Sequence, residues 1–409
     1  MANKKKILIL GVGAQGSTVA KFMDGEDTVS EIVCADNDEK AVNYLVDNLK
    51  KGSGKLVDAN STDSIVKAAE GVDLIVNALP AQFGFNVFDA AIAVKANYQD
   101  FTAPDVPGID WVESIKKMYT KTGERFRAID RTALIATGSA PGLINVAARD
   151  AMRYLDSCET IYMLVYEGVK AKRFLPFWWS VETAYTDMVD DAYCYENGEI
   201  LVTEPFSRPV YEKFKHIDEE IKLIEHAHDE PVIMGINADE FFRGAKNIYF
   251  KYGGFGVEFA ETLYKMGMLS REPVEVDGCK IVPLNLAIKL TPPAPKYREE
   301  IQEIIDEGLE SDTGAMVIKA YGEKDGEKVL VETYVDAPGF VDSFEKSGLT
   351  AEMYLTGQGG ALFTKMFADD RIDQKGLISS DMLTMEQVDY YLKHAAKLDI
   401  TLDTEVRKI

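Results

Sequence analysis

Cysteine, histidine and tryptophan are scarce in this chain, at four, four and three among 409 residues. Cys34, Cys158, Cys194 and Cys279 follow no C-x-x-C spacing, so neither a disulfide framework nor a zinc site is indicated, and they read as reduced, mostly buried thiols. The one close histidine pair, His226-x-His228, has no cysteine nearby and runs into Asp229-Glu230; it reads as a solvated face, and no metal is expected. No apolar run approaches the length of a membrane span. Lys4-Lys5-Lys6 precede only four apolar residues before Gly11, too few for a signal-peptide core, so a cytoplasmic protein is expected. Positive charge is also short, with 45 Lys and Arg against 68 Asp and Glu and a formal charge of −23. That balance repels phosphate backbones, which disfavours nucleic acid, and mildly favours cationic substrates such as amines. Internal repeats and low-complexity stretches are absent as well, and the length allows two or three domains.

What the chain does have is a glycine motif in a telling context. Ile7-Leu8-Ile9-Leu10 has the length and branching of a buried parallel strand, and it runs into Gly11-x-Gly13-x-x-Gly16 and then a helical stretch. Gly11 permits the tight turn, Gly13 lets the backbone approach a pyrophosphate, and Gly16 allows close helix–strand packing. The free N–H groups at the helix start, around Ala14 and Gln15, would face the anion. Further strands are expected at Glu31–Ala35, ending at Asp36; at Lys55–Val57, ending at Asp58; and at Asp73–Ala78, ending in Leu79-Pro80. Asp36 follows Gly16 at the offset of a ribose-binding acid. Alternating strands and helices predict a doubly wound α/β parallel sheet of the Rossmann type, binding a dinucleotide.

Asp36 also bears on which dinucleotide. A carboxylate there hydrogen-bonds a ribose 2′-OH and repels a 2′-phosphate, and Asn37-Asp38-Glu39 offers no cation to hold one. NAD is favoured, with NADP possible; the alternative is that Asp36 caps the next helix. Ligands in such sheets sit outside the carboxyl ends of the strands. That rule puts Asp58 and Ala59 beside the adenine and Asn77, Ala78, Leu79 and Pro80 beside the nicotinamide ribose. It adds Asp100, from Asn97-Tyr98-Gln99-Asp100, and Gly138, Ala140, Pro141 and Gly142, from the turn after a strand at 133–137, to the same rim. Pro104 and Pro107 break the chain after Asp100, and residues 109–130 look helical.

From about residue 160 the texture changes to aromatic-rich strands typical of a mixed sheet: Thr160–Tyr166, Glu199–Val202, Lys246–Phe250, and a hairpin of Met316–Tyr321 with Lys328–Tyr334. Helices are expected at 180–190, 257–267 and 296–307. From about Gly348 the chain is expected to be helical again, and Thr356-Gly357-Gln358-Gly359-Gly360-Ala361 suggests close packing against another backbone.

These landmarks resemble the saccharopine dehydrogenase-like family. The resemblance is carried by Gly11–Gly16, Asn97–Asp100, Gly138–Asn145, Trp179–Thr183, Glu196–Glu199, Lys251–Gly254, Met266–Val274 and Gly348–Ala351, in order along nearly the whole chain. It implies a Rossmann domain at 1–147, a central α+β substrate and dimerisation domain at 148–345, and C-terminal helices at 346–409 returning to the first domain, in a homodimer. It implies hydride transfer between a nicotinamide and the C–N bond of a small amine or amino acid. Asp100, Lys251 and Tyr252 then become candidates to orient substrate or move the proton, with Arg173, Trp179 and Arg243 as substrate-pocket candidates. The favoured expectation is NAD-dependent amine oxidation of the lysine 6-dehydrogenase or saccharopine dehydrogenase-like type. Its alternatives are NADPH-dependent reductive condensation, forming saccharopine or carboxynorspermidine, and a catalytically silent dinucleotide sensor.

Overall fold

Ile7 to Leu10 are almost wholly shielded from solvent because their strand lies inside a parallel sheet, with strands paired on both sides. The computed structural model describes residues 4–104 and 109–409, so Pro107 lies outside the described residues. The chain divides into two compact units: residues to Asp150 with Met353–Ile400, and Ala151–Glu352 with Thr401–Ile409.

The first unit is built on β1 (Lys5–Leu10), β2 (Val29–Asp36), β3 (Gly52–Leu56), β4 (Leu74–Asn77), β5 (Asn97–Asp100) and β6 (Thr132–Ile135), with a seventh strand, Gly376–Ser379. Their order across the sheet is Gly376–Ser379, β6, β5, β4, β1, β2, β3, and every pairing is parallel. The order reverses between β1 and β4, the place where such sheets bind ligands. β3 begins earlier than its apolar residues suggest. Gly54 lies so close under the preceding helix that a Cβ there would come within 2.7 Å of Val42, and a Gly-Ser-Gly start reads as loop from composition alone. Residues 109–130 form one helical run, Trp111–Lys117, a π-turn over Met118–Thr122, and Gly123–Ala128.

The helix Ala351–Ala368 shows why its small residues are needed. A Cβ on Gly357 would lie 2.7 Å from Thr18, one on Gly359 would lie 2.8 Å from the Gly138 carbonyl oxygen, and one on Gly360 would lie 2.3 Å from the Phe101 ring. Backbone and side chains of the first unit therefore occupy the space that larger residues would need.

The second unit is a nine-stranded mixed sheet. β7 (Ser157–Glu167) is paired in parallel with the strand Asn247–Gly254 on one side and antiparallel with Gly314–Lys324 on the other. Gly314–Lys324 and Glu327–Asp336 form the expected hairpin. Helices Val181–Val189, Phe255–Lys265 and Arg298–Glu307 fall within two residues of their expected limits. The final section departs from the all-helical expectation: it closes on the strand Thr401–Lys408, which extends the second unit's sheet beside Glu327–Asp336. Its apolar residues, Leu402 and Val406, are too few to signal a strand; the ladder to its neighbour holds it.

The pleat decides which side chains can meet. Lys251 pairs with Leu164 and Tyr252 with Val165, so Lys251 and Tyr252 point to opposite faces of the sheet.

Candidate active site

In the first unit the glycine turn has the geometry its spacing implies. Gly11 has φ of +86°, and a Cβ there would lie 2.6 Å from the Ala78 carbonyl oxygen; a Cβ on Gly16 would lie 1.8 Å from the Gly11 carbonyl oxygen. Gly13 is exposed and has nothing within 4 Å of its Cβ position. This is an open cradle at the N-terminus of α1 (Ala14–Asp24), suited to a pyrophosphate. The Asp36 carboxylate accepts hydrogen bonds from the backbone N–H of Val12 at 2.9 Å, of Asn37 at 2.7 Å and of Asp38 at 3.1 Å. It ties the end of β2 to the glycine turn. The helix after it is capped by Asp38, which accepts from the N–H of Lys40 and Ala41. Asp36 is therefore not the helix cap; it lies at the end of β2 beside the glycine turn. These residues fit a bound dinucleotide.

The other rim residues divide. Asp58 is exposed and accepts from Asn60, closing a turn, while the Ala59 carbonyl accepts from Asn86. Ala78 and Leu79 are half-buried and Pro80 is exposed, along the edge of the glycine turn. Gly138 and Gly142 make a tight loop, with the Gly138 N–H bonded to the Pro141 carbonyl at 2.7 Å. The Ser139 hydroxyl meets that of Thr356 at 2.8 Å, and Ala140 is half-buried beside it.

Asp100 is a correction. It is wholly buried rather than on an open rim. One carboxylate oxygen accepts from Asn77 at 2.7 Å and from the Tyr98 hydroxyl, and the other from the Thr102 N–H and hydroxyl at 3.0 and 3.1 Å. Burial raises its pKa while those bonds oppose the rise. With every acceptor position used, Asp100 braces the ends of β4 and β5 and has nothing left to offer a substrate.

In the second unit, Tyr252 and Trp179 come together, and Lys251, Arg173 and Arg243 do not join them. Lys251 is buried on the opposite face, ion-paired with Glu225 at 2.9 Å and bonded to the Arg208 carbonyl at 2.8 Å. Arg173 is paired with Glu307 and Glu303 beside the helix Arg298–Glu307. Arg243 is exposed, with its Nε 3.4 Å from the Met152 carbonyl and its charge near Asp156. Each is a local structural partner.

Around Tyr252 stands a set of acids that sequence reasoning missed. Its hydroxyl donates to Glu167, which ends β7, and Glu352, in the first turn of the helix Ala351–Ala368, lies within hydrogen-bonding reach of Glu167. The Trp179 side chain is a polar neighbour of both Glu167 and Tyr252. Burial lifts the pKa of Glu167, and burial with the neighbouring carboxylate lifts that of Glu352 well above the usual range. Glu167 Oε1 and Glu352 Oε2 are shielded from solvent and have no hydrogen-bond partner.

The histidines expected on a solvated face adjoin this set and are inside. The His226 ring lies 4.9 Å from that of Tyr252 and 5.2 Å from that of His228, which stacks on Phe250 at 3.9 Å. His228 Nδ1 meets Glu230 at 2.8 Å, and Glu230 is wholly buried. Burial lowers the pKa of His226 strongly; for His228 burial pulls the same way, but Glu230 overcomes it and the net shift is upward. Burial pushes Asp187 up to about 7, with His228 opposing. Among the described residues no three His, Cys, Asp or Glu are grouped to hold a metal ion. The period-2 alternation from Phe250 to Tyr252 was the one signal available for this face; the acids are brought to it from distant segments.

Residues 7–162 match the saccharopine dehydrogenase NADP-binding domain, and residues 138–399 match the saccharopine dehydrogenase C-terminal domain. The chain is 27% identical over 318 residues to carboxynorspermidine synthase of Vibrio cholerae, covering 71% of this chain and 75% of that protein. Among solved structures it resembles apo saccharopine dehydrogenase (L-Glu forming) of Saccharomyces cerevisiae, with a TM-score of 0.69 at 15% identity, covering 98% of this chain and all of that one. It also resembles homospermidine synthase of Legionella pneumophila in complex with NAD, with a TM-score of 0.65 at 11% identity, covering all of this chain and 92% of that one.

Proposed function

Since the chain belongs to the saccharopine dehydrogenase family of NAD(P)-binding oxidoreductases, we propose that it makes or breaks the C–N bond of a small diamine or polyamine by hydride transfer with NAD. The observation that carries this reading is the pair of buried, partnerless carboxylate oxygens on Glu167 and Glu352 beside Trp179 and Tyr252. A buried acceptor without a donor costs about 1–3 kcal/mol, a cost that a bound ammonium, with three N–H donors, would relieve. An indole beside those acids adds a cation-binding ring face.

The same geometry favours a diamine over lysine or another α-amino acid. An α-carboxylate calls for a free Arg or Lys at the site; Arg173 and Lys251 are ion-paired elsewhere, and Arg243 lies exposed beside the Met152 carbonyl. The name of the Vibrio cholerae relative, carboxynorspermidine synthase, also points to a polyamine, in that case one that carries a carboxylate. Bound dinucleotide supplies or takes the hydride. The chain's own residues hold the ammonium at Glu167 and Glu352, wall one side with Trp179, and fix the Glu167 carboxylate by the Tyr252 hydroxyl. Asp36 supports NAD over NADP.

The test is absorbance at the reduced-nicotinamide band with carboxynorspermidine, homospermidine, saccharopine and lysine, each with NAD and with NADP. Turnover of a polyamine with NAD is expected. Turnover of lysine or saccharopine alone would overturn the diamine reading, and exclusive use of NADP would overturn the reading of Asp36.

A further inference from the structure

Glu167 and Glu352 pose a problem that the amine reading leaves open. They are in reach of one another, and each has an oxygen that is shielded from water and meets no donor. Two ionised carboxylates in that position would repel in a poorly screened setting, with no proton to place between them. The groups that face the pair do not supply the missing charge. Tyr252, from the strand Asn247–Gly254, donates a single proton to Glu167; Trp179 and Thr350 are neutral neighbours; and His226, next beyond Tyr252, is held uncharged by burial. His228, the other histidine of the cluster, is already engaged with Glu230.

We propose that Glu167 and Glu352 share one proton in the free protein and that an ammonium entering the site takes the place of that proton and expels it. The inference rests on the amine reading given above. In the free state the arrangement is a carboxylic acid donating to a carboxylate, which satisfies both orphan oxygens. When an ammonium arrives, its N–H groups donate to the two oxygens in turn, the O–H bond of the acid breaks, and the proton leaves to solvent as both groups become carboxylates. No electrons move. Burial raises both acids, the direction that retention of a proton requires. The consequence is a competition in which proton and amine exclude each other. Amine affinity therefore rises with pH, by up to about tenfold per unit, until the pair has lost its proton in the free protein.

The experiment is calorimetric titration of the full-length protein with 1,3-diaminopropane and with 1,4-diaminobutane, repeated at one near-neutral pH in buffers of different ionisation enthalpy. The dependence of the observed heat on the buffer counts the protons exchanged. Release of about one proton per diamine is expected from the unmodified chain, and none from Glu352→Gln, in which the amide N–H replaces the shared proton. Glu167→Gln is the second variant, with the same expectation, and thermal melts establish that both are folded. Binding without proton release overturns this inference and leaves the amine reading standing. Equal release from the unmodified chain and both variants places the proton on another group and also overturns it. Failure of either diamine to bind overturns the amine reading and this inference with it.

Discussion

Replacing Asp36 by serine tests the cofactor crevice most directly. In the folded chain the Asp36 carboxylate accepts from three backbone N–H groups, at 2.9, 2.7 and 3.1 Å. It is therefore held rigidly, and in the proposed complex its remaining acceptor capacity would serve a ribose hydroxyl. A hydrogen bond from a ribose hydroxyl to a charged acceptor contributes about 1.5–3 kcal/mol, or about 10–150-fold in the Kd of NADH. The same charge opposes a 2′-phosphate by a few kcal/mol at the dielectric of a protein surface. Asp36→Ser removes both effects, so NADH binding weakens while NADPH binding improves, and the ratio of their Kd values moves by about two orders of magnitude or more. Asp36→Asn separates charge from geometry: it keeps an acceptor for the Asn37 N–H and abolishes the repulsion. The measurement is quenching of protein fluorescence by NADH and NADPH for the three proteins. If the unmodified chain binds NADPH as tightly as NADH, or if Asp36→Ser leaves their ratio unchanged, the argument from Asp36 is wrong.

Trp179→Phe keeps a ring but loses the indole, and a weakened cation contact of about 0.5–1.5 kcal/mol should raise the amine KM by about 2–12-fold, read from initial rates. Lys251→Met removes the 2.9 Å partner of Glu225 and leaves it only Arg208 at 3.6 Å, and denaturant melts should show a loss of about 1–3 kcal/mol. Because Lys251 lies on the other face of the sheet from Tyr252, the amine KM of the folded fraction should stay unchanged; a large rise would contradict the register. Gly142→Ala places a Cβ 2.1 Å from the Gly138 carbonyl oxygen, at φ of +137°. A fall in stability of about 1–3 kcal/mol is expected, together with weaker dinucleotide binding. Asp187, pushed up to about 7 by burial, binds its proton more tightly folded than unfolded. Its contribution to stability is full below the unfolded carboxylate value and is lost as pH rises through about 7. Asp187→Asn should therefore flatten the decline in Tm between pH 5 and pH 8, and an unaltered pH profile would place that decline elsewhere.

What the sequence showed and what it hid follow from how local each cause is. β1, the glycine turn and Asp36 sit within one short stretch of chain, and the constraints on them are local: a buried strand, a φ that suits glycine, a fixed offset to the acid. β3 starts earlier than expected because Gly52 and Gly54 owe their strand conformation to packing against Leu49 and Val42 respectively and to the ladder with Ile32 and Cys34. The candidate amine site is less local still. Glu167 ends a strand, Trp179 lies in a loop, His226 follows another strand, and Glu352 begins a helix; nothing in any one segment distinguishes these residues from solvated ones.

Lys251 and Tyr252 carry the same point to the level of neighbouring residues. Both lie in one strand and both are buried, yet the pleat assigns Lys251 to an ion pair with Glu225 and Tyr252 to the acids around Trp179. The motif marks the strand, and the face turned toward the candidate site is fixed by its pairing with β7. A burial pattern can be read from sequence where one face is apolar and the other polar. Here both faces carry ionisable groups with shielded atoms, Glu225 with Lys251 on one and Glu167 with Glu352 on the other. Alternation then gives no hint of which is structural. The distinction appears only in the partners: on the Lys251 face a cation answers the acid, whereas on the Tyr252 face two acids answer each other. That imbalance of charge is the feature that an incoming amine would correct.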